Sequence, residues 1–149
     1  MATQRSYALT AGTGTVGFGE AVKASAAATG GVMTLMRSDT QGGAPWHVHT
    51  REDECFYVVS GRIRVWPGTQ VSDLDADGFV FLPRNEPHAW DVLSPQARVL
   101  LITVPAMLET FLGEFHAASS QEARYAIAAR YGVSFLPEDF DPSTWSYPD

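Results

Sequence analysis

The chain has 149 residues, 45% of them hydrophobic and 18% charged, the size and make-up of one globular domain with a real core. Its 17 acidic residues against 10 basic ones give a formal charge of −7, which repels phosphate backbones and anionic lipid and leaves neither nucleic acid nor a membrane as an expected partner. The one cysteine, Cys55, allows no internal disulfide; with no leader-like pattern and no membrane-length apolar run, a cytoplasmic protein is expected.

Residues 1–31 are rich in Gly, Ala, Ser and Thr and read as an arm or edge strand. Within them Gly12-Thr13-Gly14-Thr15-Val16-Gly17 has the glycine spacing of a dinucleotide-binding turn. That turn needs a strand before it, a helix after it and an acidic residue about twenty positions on. The glycine run instead continues to Gly19 with no βαβ pattern, so no nucleotide cofactor is expected.

From 32 to 104 the pattern changes to short β-rich runs at 32–37, 53–59, 62–66, 79–82, 88–92 and 98–104. Turn chemistry divides them at Gly42-Gly43, Ser60-Gly61, Pro67-Gly68, Asp77-Gly78, 83–87 and Ser94-Pro95. Many short strands with no helix between them indicate an all-β fold, an antiparallel sandwich or barrel. Beyond Pro105 the period becomes helical: Leu108, Phe111, Leu112 and Phe115 fall on one helix face, with Pro105 suited to the first turn. A second helix is expected over 121–131, with Ser119 and Glu122 at capping-box spacing and Gly132 just past its end. The aromatic tail 135–149 reads as a strap over the barrel or over a partner subunit. The expected organisation is one domain overall: an arm (1–31), a barrel (32–104), and helices with a tail (105–149).

Three of the four histidines form a pattern with one acid: His47-Val48-His49, then Glu54, then His88 after the Pro83–Pro87 loop. Side chains alternate faces along a strand, so His47 and His49 point the same way. Imidazole and carboxylate are ordinary ligands of transition metals, and interior His and Glu are costly unless paired or metal-bound. The competing reading gives each histidine a separate structural role. If Glu54 faces inward, Phe56 and Val58 share its face and Cys55, Tyr57 and Val59 do not, which removes Cys55 as a ligand. His116, on the first predicted helix, stands outside the group. Met33, Leu35, Phe56, Val58, Phe81, Trp90 and Leu101 are the candidate wall of an apolar substrate pocket, or simply barrel filling. Trp46 and Arg51 are placed at the mouth, Arg51-Glu52-Asp53 as a solvated turn, and Arg62 and Arg64 on the exterior.

These residues resemble the cupin family. Its first motif, a glycine, a spacer, His-x-His, Glu and a later glycine, is matched by His47, His49, Glu54 and Gly61; its second by Gly78, Pro83 and His88. The departures are Gly42 and Gly78, each one residue nearer the motif than usual, Asn85 where glycine is common and Val92 where asparagine is common. Asn85 is able to adopt the left-handed conformation such a loop requires. The resemblance implies a jelly-roll β-barrel with a short C-terminal helical region. It also implies one divalent transition metal (Ni, Mn, Fe, Zn or Co) held by His47, His49, Glu54 and His88 with one or two positions open. The stretch from His49 to Gly61, and 129–133 leading into 135–137, are similar to small bacterial cupins related to quercetinase. That likeness implies a metal-dependent dioxygenase acting with O₂ on a flavonol or other enolisable aromatic, with Glu54 as the catalytic base. Two alternatives stay open: a non-oxidative cupin (polyketide cyclase, isomerase or lyase) using the metal as Lewis acid, and a metal-containing small-molecule binding module without catalysis. A homodimer is expected, because an open barrel edge and apolar C-terminal helices need cover.

Overall fold

The computed structural model describes residues 4–17 and 20–149. Two antiparallel sheets face one another. The first has six strands: β1 (Thr15–Gly17), β2 (Glu20–Ala24), β3 (Thr34–Thr40), β10 (Ala97–Val104), β5 (Asp53–Ser60) and β8 (Phe79–Leu82), in that spatial order. The second has five: β11 (Val133–Phe135), β4 (Ala44–His49), β9 (His88–Val92), β6 (Ile63–Pro67) and β7 (Ser72–Leu74). Among the described residues there are three α-helices, the short α1 (Ala26–Thr29) and the longer α2 (Leu108–Ala117) and α3 (Gln121–Arg130), and a short 3-10 turn at Pro142–Thr144 in the tail.

Period-two alternation sets the inner face. Along β10, Ala97, Val99, Leu101 and Thr103 are buried while Arg98, Leu100, Ile102 and Val104 point away. Pairing carries this parity to its neighbours, since residues directly opposite share a face. Leu101 lies opposite Met36 and Phe56, and Thr103 opposite Thr34 and Glu54. Phe56, Val58, Ile63, Val65, Leu82, Trp90 and Val99 meet between the sheets as the core, and Leu108 and Phe111 of α2 close one end of it.

The predicted strands are present, with shifts. The first runs 34–40 rather than 32–37, and its inner face is the opposite one: Thr34, Met36 and Ser38 are buried, whereas Met33 and Leu35 are not barrel lining. Leu35 lies opposite Ile102 on the outer face, and Met33 borders an outer cleft with Gln4, Tyr7 and Thr29. Phe81 is likewise outside, 53% exposed and paired with Cys55. Phe79-Val80-Phe81-Leu82 is apolar throughout, so it carries no alternation from which parity could be read, and here the aromatics take the outer side.

Pro105 precedes α2 instead of sitting in its first turn, because Met107 is the N-cap. The cap of α3 is Ser120, whose hydroxyl accepts from Ala123 N, one residue beyond the expected Ser119. Gly132, with φ +72°, follows the helix as expected. The glycine-spaced segment 12–17 leads into a β1–β2 hairpin, which is not a nucleotide-binding βαβ unit; Gly19 lies outside the described residues. The tail lies over the barrel: Trp145 Nε1 donates to the Asn85 carbonyl at 2.9 Å, Tyr147 to Glu86 at 2.9 Å, and Phe140 packs edge-on against Trp46 at 5.4 Å.

Candidate metal centre

The second sheet supplies three imidazoles and the first sheet one carboxylate. His47 and His49 lie two apart on β4, and His88, at the start of β9, is directly opposite His47 in the register. Glu54 reaches in from β5 on the facing sheet. The ring of His47 lies 4.4 Å from that of His88 and 5.0 Å from that of His49, and the His49 and His88 rings are parallel at 5.5 Å. One donor atom from each of the four residues falls within 4.8 Å of all the others, and all four side chains are buried. Among the described residues this is the one such cluster able to hold a metal ion.

Local structure fixes the two ligand segments. Gly61, at the end of the first motif, has φ +81°, and a Cβ there would run into the Gln96 carbonyl. Asn85 adopts φ +67° in the loop before His88, so the residue that departs from the family pattern keeps the left-handed turn. Its N–H donates to the His49 carbonyl at 2.7 Å, which ties that loop to β4. On the other edge of β4, β11 pairs Val133 with His49 and Phe135 with His47, so the strand that carries both histidines is held on both sides.

Each ring has an outward acceptor on Nδ1. His47 donates to the Pro45 carbonyl at 2.7 Å, His88 to the Glu86 carbonyl at 3.3 Å, and His49 to the Glu52 carboxylate. These oxygens only accept, so Nδ1 carries the proton and a neutral ring leaves Nε2 with a free lone pair. His88 Nε2 lies 3.2 Å from Glu54 Oε2, and His49 Nε2 lies 3.6 Å from it. A lone pair facing a carboxylate at that distance calls for a proton or a cation between them.

Burial pushes His47 down to about 3, helped by the neighbouring His88 and His49 rings, so it stays neutral at pH 7 and ready to ligate. Burial also opposes a charge on His49, but the Glu52 hydrogen bond and the Glu54 and Glu52 charges outweigh it and raise the group. For Glu54 burial pushes upward, and the close approach of His88 with the surrounding rings overcomes it, so the carboxyl is held below its ordinary value. Glu52 Oε2 is buried without a hydrogen-bond partner. Three inward imidazole nitrogens and an acid held below its ordinary value, gathered within 4.8 Å of one another in a buried volume, fit a divalent cation.

The four predicted ligands therefore come together, and of the predicted pocket residues Phe56, Val58, Trp90 and Leu101 face the interior with them. Met33, Leu35 and Phe81 do not. Cys55 faces outward, its thiol pushed up chiefly by burial. Arg51 reaches the Arg130 carbonyl at 2.6 Å, and Arg62 and Arg64 pair with Asp73 on the exterior. Glu52 is the main correction: expected in a solvated turn, it is 1% exposed and bonded to His49. Its position three residues after His49 was the available signal. Thr103 was also missed. Directly opposite Glu54, it is wholly buried, and its hydroxyl has no partner. No helix among the described residues is long and apolar enough to cross a membrane.

A family profile for the cupin domain matches residues 34–105. Over 65 residues, 44% of this chain, the sequence is 28% identical to quercetin 2,3-dioxygenase of Bacillus subtilis (strain 168). That match spans only 19% of the Bacillus protein. Among solved structures, KdgF from Halomonas sp. aligns with a TM-score of 0.55 at 19% identity, over 61% of this chain and 81% of that one. Streptomyces Pac13, a nucleoside dehydratase solved with uridine, aligns at 0.47 and 21% identity, over 54% of this chain and 64% of that one. Profile and architecture agree: from residue 34 to residue 105 the chain is a cupin domain.

Proposed function

We propose that this chain is a metal-dependent cupin enzyme that acts on a small enolisable molecule, in the manner of a dioxygenase. The carrying observation is the buried meeting of three Nε2 atoms with one ionised carboxylate from the opposite sheet. A divalent transition metal held by His47, His49, Glu54 and His88 would supply a Lewis acid and, where its redox chemistry allows, a partner for O₂.

The chain's own residues then have distinct tasks. Glu54 takes the proton from the substrate hydroxyl: the O–H bond breaks, the proton passes to a carboxylate oxygen, and the substrate is left as an enolate. In the dioxygenase reading that enolate provides the electrons and O₂ accepts them, both oxygen atoms entering the product without a separate reductant. The Thr103 hydroxyl, beside Glu54 and lacking a protein partner, is available to donate to the substrate or to a water. Phe56, Trp90 and Leu101, buried on the same inner faces as the cluster, would give an aromatic substrate bound there an apolar surrounding. The likeness to quercetin 2,3-dioxygenase supports the oxidative direction. Oxygen uptake with a flavonol by the metal-loaded protein tests it; turnover of an enolisable substrate at the same rate without oxygen would favour the non-oxidative reading, in which Glu54 and Thr103 move protons only.

The proposal extends to a homodimer in a reducing, cytoplasmic setting. Its basis differs from the expected one, because β11 covers the edge of β4 and Leu108 and Phe111 of α2 are buried. Uncovered apolar area lies instead on the outer face of the six-stranded sheet, at Tyr57, Val59, Phe79, Phe81 and Val104.

A further inference from the structure

We propose that Glu52 is a positioning residue of the metal centre, setting the orientation and donor strength of His49 and balancing the charge of the bound ion. This rests on the metal reading above and adds a residue outside the four-ligand set.

Three observations carry it. First, the triplet Arg51-Glu52-Asp53 splits in an unusual way. Arg51 and Asp53 turn outward to the Arg130 carbonyl and to Arg84, while Glu52 between them is 1% exposed. A carboxylate is rarely buried unless something there stabilises its charge. Second, His47 and His88 are oriented by backbone carbonyls, whereas His49 depends on the Glu52 side chain. Accepting from Nδ1–H, the carboxylate holds the ring angle, fixes the neutral ring in the tautomer whose lone pair is on Nε2, and makes that nitrogen a better donor. Third, Glu52 Oε2 is buried and has no hydrogen-bond partner. An acceptor left in that condition is stabilised by positive charge close by. With Glu54 it places two negative charges around three imidazoles, and one divalent cation brings the group to neutrality. The same arrangement disfavours a monovalent ion, which would leave a net charge buried.

Metal-free wild type, Glu52→Gln and Glu52→Leu are titrated with Co²⁺ against a chelator, and the visible absorption of bound Co²⁺ is recorded beside a thermal melt of each metal-free protein. Glu52→Leu removes the acceptor and the charge, and should weaken Co²⁺ binding by about 10- to 100-fold. Glu52→Gln keeps an acceptor oxygen and loses only the charge, so it should fall between the two and shift the Co²⁺ bands. A purely structural Glu52 would lower the melts and leave affinity and absorption unchanged, and that result overturns the proposal. Should Glu52→Leu fail to fold, Glu52→Gln decides alone: affinity and bands equal to wild type refute it. Failure of wild type itself to bind Co²⁺ would refute the metal reading as well, so the two failures are distinct.

Discussion

His88→Ala is the sharpest perturbation of the proposed centre. His88 is 1% exposed, packs against the His47 ring at 4.4 Å, and has its Nε2 3.2 Å from Glu54 Oε2. Truncation removes one of four donors and the His88 contact that, against the effect of burial, helps to hold Glu54 below its ordinary value, so the remaining acid becomes harder to ionise. Structural four-ligand zinc sites bind with about 10–16 kcal/mol, so one ligand accounts for roughly 3 kcal/mol. At about 1.4 kcal/mol per decade, the dissociation constant rises roughly 100-fold. The assay is chelator competition on metal-free protein, with elemental analysis of the purified variant and a circular dichroism spectrum to establish that it is folded. His116→Ala is the control, because His116 lies on α2 outside the cluster, and it should leave affinity unchanged. A folded His88→Ala that binds metal within about threefold of wild type would refute the reasoning, since every magnitude above follows from His88 being a ligand.

Glu54→Gln should retain part of the metal yet lose turnover, whereas Thr103→Val should keep metal affinity and lower kcat by roughly 5-fold, the worth of about one hydrogen bond; steady-state kinetics on proteins of known metal content checks both, and unchanged turnover in Glu54→Gln removes it as the base. In the metal-free protein, His47 stays neutral down to about 3 when folded but takes up a proton near 6.5 when unfolded. The unfolded state therefore binds more protons within that window, and stability should fall by on the order of a few kcal/mol as pH drops across it. Glu54, held below its ordinary 4.5, adds stability present above that value and lost as pH falls through its lowered value. His49 acts oppositely: its raised value gives stability present below 6.5 and lost as pH rises through the folded value. Melting curves of metal-free protein that do not change between pH 7 and pH 4 would contradict this. Light scattering at micromolar concentration should give a dimer that Phe81→Lys, on the outer sheet face, dissociates; a monomeric wild type refutes the dimer.

The clustering of His47, His49, Glu54 and His88 was legible because period-two geometry leaves little freedom near them: two histidines two apart on a strand must share a face, and the inward side of β5 follows from Glu54 with Phe56 and Val58. That certainty decays with distance from the site. Where β3 begins, the run Met33-Thr34-Leu35-Met36 offers apolar residues at both parities, and only the pairing with β10 reveals that Thr34 and Met36 are inside. Polar interior residues such as Thr34 and Thr103 look like outer-face positions until the opposite strand is known. Glu52 was hidden for a different reason. Charged triplets in turns are usually solvated, and a place three residues after His49 is too slight a signal to outweigh that expectation. β11 is equally silent: three residues after a helix gain strand character only because the edge of β4 is there to pair with.

The most direct test of the account is anomalous diffraction from crystals of the metal-loaded protein, with data collected on both sides of the absorption edge of the bound metal. The account predicts one strong peak per chain, about 2.0–2.2 Å from Nε2 of His47, His49 and His88 and from a carboxylate oxygen of Glu54. A peak elsewhere in the chain, or none between the two sheets, would contradict it.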